Sequence, residues 1–216
     1  LAVITAASAL AQSGPRGARR DFSAERLIAP PTDQWPTNGG NLYNQRYSPL
    51  NQIDTTNVAQ LKGVWRTRLR GSGVAPKYSG EAQPVVHDGV AYVSTGANDV
   101  FALSIETGEI LWQYSANLPE DLPSVCCGWN NRGVAISEDK VFMGRLDGKL
   151  VALDRKTGTP VWTIQAERIE ENFSITPAPV YYDGMLITGF AGADRGTRGR
   201  VKAYDADDGR LLWTFY

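Results

Sequence analysis

Histidine is nearly absent from this 216-residue chain, and cysteine is scarce: there is one His and there are two Cys. A Ser-His-Asp triad or a histidine-based zinc site would have to use His87, which argues against both. His87 lies in "VVHDGV", beside an expected turn, and reads as solvent-facing. Net charge is also missing. Twenty-two Lys and Arg stand against 23 Asp and Glu, a formal balance of −1. Nucleic-acid binding calls for a basic face, so no nucleic-acid partner is expected. Long apolar runs are absent after the first residues, and a membrane-spanning helix needs about 20 such residues.

The first residues, "LAVITAASALAQS", are apolar and small. Ala9-Leu10-Ala11 has the A-x-A form of a signal-peptidase site, so the stretch reads as an h-region with a cleavage site. Residues 1–11 are therefore expected to be a signal-peptide remnant. Residues 12–32, with the basic cluster "PRGARR" from Pro15 to Arg20, are expected to be a solvated linker. Export to the periplasm is the expectation, with membrane association left open, and export permits disulfides.

Six Trp and 22 Gly are what the chain has in quantity. They fall in a repeat. "VFALSIETGEILWQY", "LVALDRKTGTPVWTI" and "VKAYDADDGRLLWTF" align without gaps, each with Ala, then Gly six residues on, then Trp four later. The triplets are Ala102/Gly108/Trp112, Ala152/Gly158/Trp162 and Ala203/Gly209/Trp213. Trp65, in "LKGVWRTRL", reads as the closing strand of an earlier unit. Asp88-Gly89 and Thr107-Gly108 between β-rich runs are hairpin signals. Four strands per repeat is the plan of a β-propeller blade. The expected fold is all-β: four-stranded antiparallel blades, with Trp65, Trp112, Trp162 and Trp213 buried at equivalent places. About three to four blades are expected over residues 33–216. A closed propeller has typically 4–8 blades, so the chain is expected to be part of a longer protein.

Both cysteines are adjacent, Cys126 and Cys127 in "SVCCGW". They are either two buried thiols or a strained disulfide. Neighbouring Cα atoms lie about 3.8 Å apart, below the usual span of a disulfide.

The Ala-x5-Gly-x3-Trp repeat, together with "VCCGWNNRG", resembles the eight-bladed quinoprotein alcohol dehydrogenases. These are periplasmic enzymes that use pyrroloquinoline quinone (PQQ) and calcium. The resemblance runs from about Asp33 to Tyr216. It implies that Cys126 and Cys127 form a vicinal disulfide lying against one face of the quinone. It implies that Glu81, in "SGEAQPVV", hydrogen-bonds the cofactor and that Arg132 contacts the quinone oxygens. Thr176, in "SITPAPV", would hold a cofactor carboxylate. "GFAGADRG" resembles the family's Gly-Ala-Glu segment, which makes Gly192 and Ala193 cofactor neighbours and Asp194 a calcium ligand. Here the sequence departs from the family: Asp is one methylene shorter than Glu, Ala191 replaces a cofactor-binding Ser of some members, and Gly128-Trp129 replaces the commoner Asp-Val.

The resemblance implies oxidation of a small alcohol, with a polyol or sugar as the other candidates and a cytochrome c or membrane quinone as electron acceptor. No catalytic residue is assigned. The base is expected beyond residue 216, and the fragment is expected to be inactive alone. The rival reading is a non-catalytic propeller scaffold of the outer-membrane assembly type.

Overall fold

The computed structural model describes residues 22–73, 79–122 and 128–216. Twelve strands form three four-stranded antiparallel sheets. The first blade is β1 (Val85–His87), β2 (Val90–Ser94), β3 (Val100–Ser104) and β4 (Ile110–Tyr114). The second is β5 (Ala135–Ile136), β6 (Lys140–Gly144), β7 (Lys149–Asp154) and β8 (Pro160–Gln165). The third is β9 (Val180–Tyr182), β10 (Met185–Gly189), β11 (Val201–Asp205) and β12 (Leu211–Phe215). Strands within each blade pair in sequence order, so every connection is a hairpin.

The repeat has a direct physical meaning. Ala102, Ala152 and Ala203 are fully buried and sit opposite Trp112, Trp162 and Trp213. In each blade the register slips immediately after the Ala. Such a bulge twists the outer strand. The turn glycines Gly108, Gly158 and Gly209 have φ of 73°, 72° and 76°, a left-handed conformation that suits glycine.

Trp65, Trp112 and Trp162 dock on the next repeat. Trp65 lies over Gly108 and Trp112 over Gly158, leaving no room for a Cβ, and Trp162 lies over Gly209, where a Cβ would be tight. The indole N–H donates to the carbonyl three residues before that glycine: Trp65 to Ile105 at 2.9 Å, Trp112 to Arg155 at 3.0 Å, Trp162 to Ala206 at 3.2 Å. The same ring-on-glycine contact and the same directional bond thus recur at each of these junctions, beside other hydrogen bonds.

Uniform Trp burial does not hold. Trp112 is buried, but Trp65 is 40% and Trp213 41% exposed. Trp213 has no following turn glycine to dock on among the described residues. Trp65 docks forward, yet residues 61–70 form no strand, so the expected closing strand is absent and the ring stays partly open to solvent.

Two further expectations are corrected. His87 is 4% exposed, not solvent-facing. Its Nδ1 lies 2.9 Å from the Arg155 guanidinium, and its ring packs 4.9 Å from Phe22. The 12–32 linker is also too long. Helix α1 (Ala24–Ile28) is N-capped by Ser23, and Phe22 and Leu27 enter the core. Trp35 then bridges to Val86 on the free edge of β1. The basic cluster and the signal-peptide stretch lie outside the described residues. Among the described residues no helix is long and apolar enough to cross a membrane.

Candidate functional site

Hairpin connectivity sorts the loops by face. The segment entering the first strand of a blade and the loop joining its second and third strands lie at one end of the sheet. The other two hairpins lie at the opposite end. Glu81 precedes β1, Arg132 precedes β5 and Thr176 precedes β9, so the three occupy the same station in successive blades. The 190–200 loop between β10 and β11 is on that face too. Strands β5 and β9 touch, so the first strands of the second and third blades lie side by side and bring their entry segments together.

Glu81, Arg132 and Thr176 are linked. Arg132 Nη2 lies 3.0 Å from Glu81 Oε2, and the Arg132 backbone N–H donates to the Thr176 carbonyl at 3.0 Å. Ser79 Oγ donates to Glu81 Oε1 at 2.9 Å, and Asn130 Nδ2 to Glu81 Oε2 at 3.4 Å. The two charged side chains are about half open, 49% for Arg132 and 40% for Glu81. They are thus reachable, while Thr176 is buried. A hollow of about 270 Å³ opens beside them, lined by Ser79, Gly80, Ala82, Val93, Ser94 and Thr95.

The Gly192–Asp194 segment is attached to the same face indirectly. Ser174 and Ala191 exchange backbone hydrogen bonds of 3.2 and 2.9 Å, two residues before Thr176. Gly192 has φ 135° and abuts the Asn172 carbonyl, so only glycine fits. Ala193 to Arg195 form a 3₁₀ turn in which Ala193 and Asp194 are exposed. No contact brings the Asp194 carboxylate to Glu81 or Arg132. Among the described residues no three His, Cys, Asp or Glu side chains form a group able to hold a metal. Cys126 and Cys127 lie outside the described residues.

Several supporting residues had no assignment from sequence. Asn38 Nδ2 donates to the Arg132 carbonyl at 2.8 Å across 94 positions. Asn131 is fully buried beside Arg132 and bonds both neighbouring blades. Trp129 is 3% exposed and packs with Ala97, Ala116, Leu118 and Leu146, anchoring the loop that carries Arg132. Asn131 and Trp129 were visible in "CCGWNNRG", but only as spacing. Asn38 had no local signal.

Residues 35–216 match the family model described as "PQQ: Glucose/ethanol/alcohol dehydrogenase, beta-propeller domain". The chain belongs to this family of β-propeller domains. It is 42% identical over 194 residues to the quinoprotein alcohol dehydrogenase PedH of Pseudomonas putida, an alignment covering 88% of this chain and 32% of that protein. Among solved structures it resembles the quinohemoprotein alcohol dehydrogenase of Comamonas testosteroni, with TM-score 0.76 and 36% identity, covering 89% of this chain and 28% of that one. A europium-containing methanol dehydrogenase gives TM-score 0.74 and 34% identity, covering 85% of this chain and 32% of that one. The chain thus spans about a third of the length of the relatives it matches.

Proposed function

We propose that this chain is the cofactor-cradling part of a PQQ- and calcium-dependent dehydrogenase that oxidises a small alcohol in the periplasm and passes the electrons to a cytochrome c or a membrane quinone. One observation carries the reading: Glu81, Arg132 and Thr176 are 51 and 44 residues apart in sequence, yet they meet at the same station of three successive blades. The names of the relatives favour an alcohol over a sugar as substrate.

The donor set suits an anionic, oxygen-rich ring system. Arg132 has five N–H donors in a fork that matches paired oxygens, and the ion pair to Glu81 leaves most of them free. When bound, PQQ would supply the two-electron redox chemistry. Arg132 would hold a fixed positive charge against the quinone oxygens, stabilising negative charge that develops there. Glu81, oriented by Ser79 and Asn130, would accept a hydrogen bond and orient the ring. Thr176 would donate its hydroxyl to a carboxylate. We assign Cys126 and Cys127 to a disulfide that forms a flat wall against the ring, and Gly192 and Ala193 to the loop that approaches it closely.

Calcium takes about 6–8 oxygen ligands, and among the described residues no group of three His, Cys, Asp or Glu side chains gathers that could hold it, while the Asp194 carboxylate is exposed. Asp194 is proposed as one ligand, with the others and the catalytic base supplied by the rest of the protein.

The test is reconstitution of the full-length protein. Apoprotein given PQQ and calcium together is expected to reduce an artificial dye in the presence of a primary alcohol, and to show no free thiols at Cys126 and Cys127. Stoichiometric PQQ-free protein that never gains alcohol-dependent dye reduction would favour the scaffold reading instead.

A further inference from the structure

Arg132 stands at the centre of a closed ring of hydrogen bonds. Asn131 Oδ1 accepts from the Gly133 N–H at 3.0 Å, an Asx turn with Arg132 as its middle residue. Closing that turn fixes the backbone dihedrals of Arg132, and with them the direction of its side chain. The Asn131 amide is itself held from both sides. Ser94 Oγ, at the end of β2, donates to Oδ1 at 2.6 Å, and Nδ2 donates to the Gly144 carbonyl, at the end of β6, at 2.9 Å. Asn131 has no solvent exposure, so each of these groups would be unpaired without it. Gly133 has φ 129°, and a Cβ there would press on the Asn38 amide that caps the Arg132 carbonyl.

We propose that Asn131 is the positioning residue for Arg132: it transmits the relative placement of blades 1 and 2 to the guanidinium. Blade 1 reaches Arg132 twice, through Ser94 and Asn131 along the backbone and through Glu81 at the tip of the side chain. Blade 3 reaches it through the Thr176 carbonyl. The cation is thus set by three blades at once, and the buried amide is the element that joins two of them. This inference rests on the reading of Arg132 as a cofactor contact. It adds that the affinity contributed by Arg132 depends on a residue that never touches the cofactor.

The test is a double-mutant cycle in the full-length protein, with Asn131→Ala, Arg132→Ala and the pair, measuring PQQ affinity by equilibrium titration and stability by chemical denaturation. Asn131→Ala is expected to weaken PQQ binding about tenfold, since a displaced charged hydrogen bond is worth that much. In the Arg132→Ala background the same change is expected to leave affinity within about twofold, because the group it positions is gone. Its loss of stability should persist in both backgrounds, so a purely structural role would not reproduce the pattern. If Asn131→Ala yields no folded protein, Ser94→Ala carries the same cycle, removing the blade 1 bond to the Asn131 amide, with the same loss expected and unchanged affinity counting against the proposal. Losses in affinity that multiply in the double variant, or an Asn131 variant with unchanged affinity, would overturn the proposal. Wild-type protein that binds no PQQ would overturn the reading of Arg132 first, and this inference with it.

Discussion

Replacing Trp112 by alanine is expected to destabilise the full-length protein by about 3–5 kcal/mol, the range for deleting a large buried ring. The indole is 9% exposed, lies on Gly158, tilts against Tyr92 at 6.0 Å and donates to the Arg155 carbonyl. Alanine removes all of these and leaves a void between blades 1 and 2. Phenylalanine keeps most of the packing but orphans the carbonyl, so Trp112→Phe should cost less, about 1–3 kcal/mol. The ordering is the informative part, and chemical denaturation monitored by far-UV circular dichroism reads it. A loss below about 1 kcal/mol for Trp112→Ala would mean that the junction is held elsewhere.

The second large effect is on binding. Arg132→Ala is expected to lower PQQ affinity roughly 10- to 150-fold, the equivalent of one charged hydrogen bond of about 1.5–3 kcal/mol. Stability should barely move, because the ion pair to Glu81 is about half exposed and such pairs contribute about 0–1 kcal/mol. Arg132→Lys should fall between wild type and Ala: it keeps the charge and loses the planar fork. Titration of the apoprotein separates the three. Affinity within about threefold for Arg132→Ala would remove Arg132 from the site.

The blade plan was legible because it is local. The span from Ala to Trp covers eleven residues, and the bulge, the turn glycine and the docking ring all fall inside it or one repeat away. Asp88-Gly89 also formed the hairpin expected of it, with φ of 51° and 71°. The burial of Trp213 was misread for the same reason. Among the described residues no turn glycine follows it for the ring to dock on, and a window around the residue does not show that. His87 was misread because its neighbours Phe22 and Arg155 are 65 and 68 positions away.

The meeting of Glu81, Arg132 and Thr176 was legible in the sequence, and the residues that hold Arg132 in place were hidden. Glu81, Arg132 and Thr176 come from three separate motifs, and their meeting follows from repeat geometry once the blades are accepted. The bracket around Arg132 does not follow. Asn38 comes from the segment after α1, where sequence reading began the propeller domain but saw no element, and Ser94 and Gly144 are ends of strands with no feature of their own. A buried amide that bonds two blades looks in sequence like any other Asn. The Asp194 turn also stayed apart from the other three residues, because the contact tying it to them is backbone to backbone at Ser174 and Ala191.

The central claim is that the entry segments of three consecutive blades cradle PQQ on one face of the propeller. A structure of the full-length protein with PQQ bound tests it most directly. The account predicts ring oxygens of the cofactor within hydrogen-bonding distance of the Arg132 guanidinium, Glu81 and Thr176 at its edge, and Cys126 and Cys127 beneath one face as a closed disulfide. A cofactor seated at another face or between other blades, with Arg132 paired only to Glu81, would contradict it.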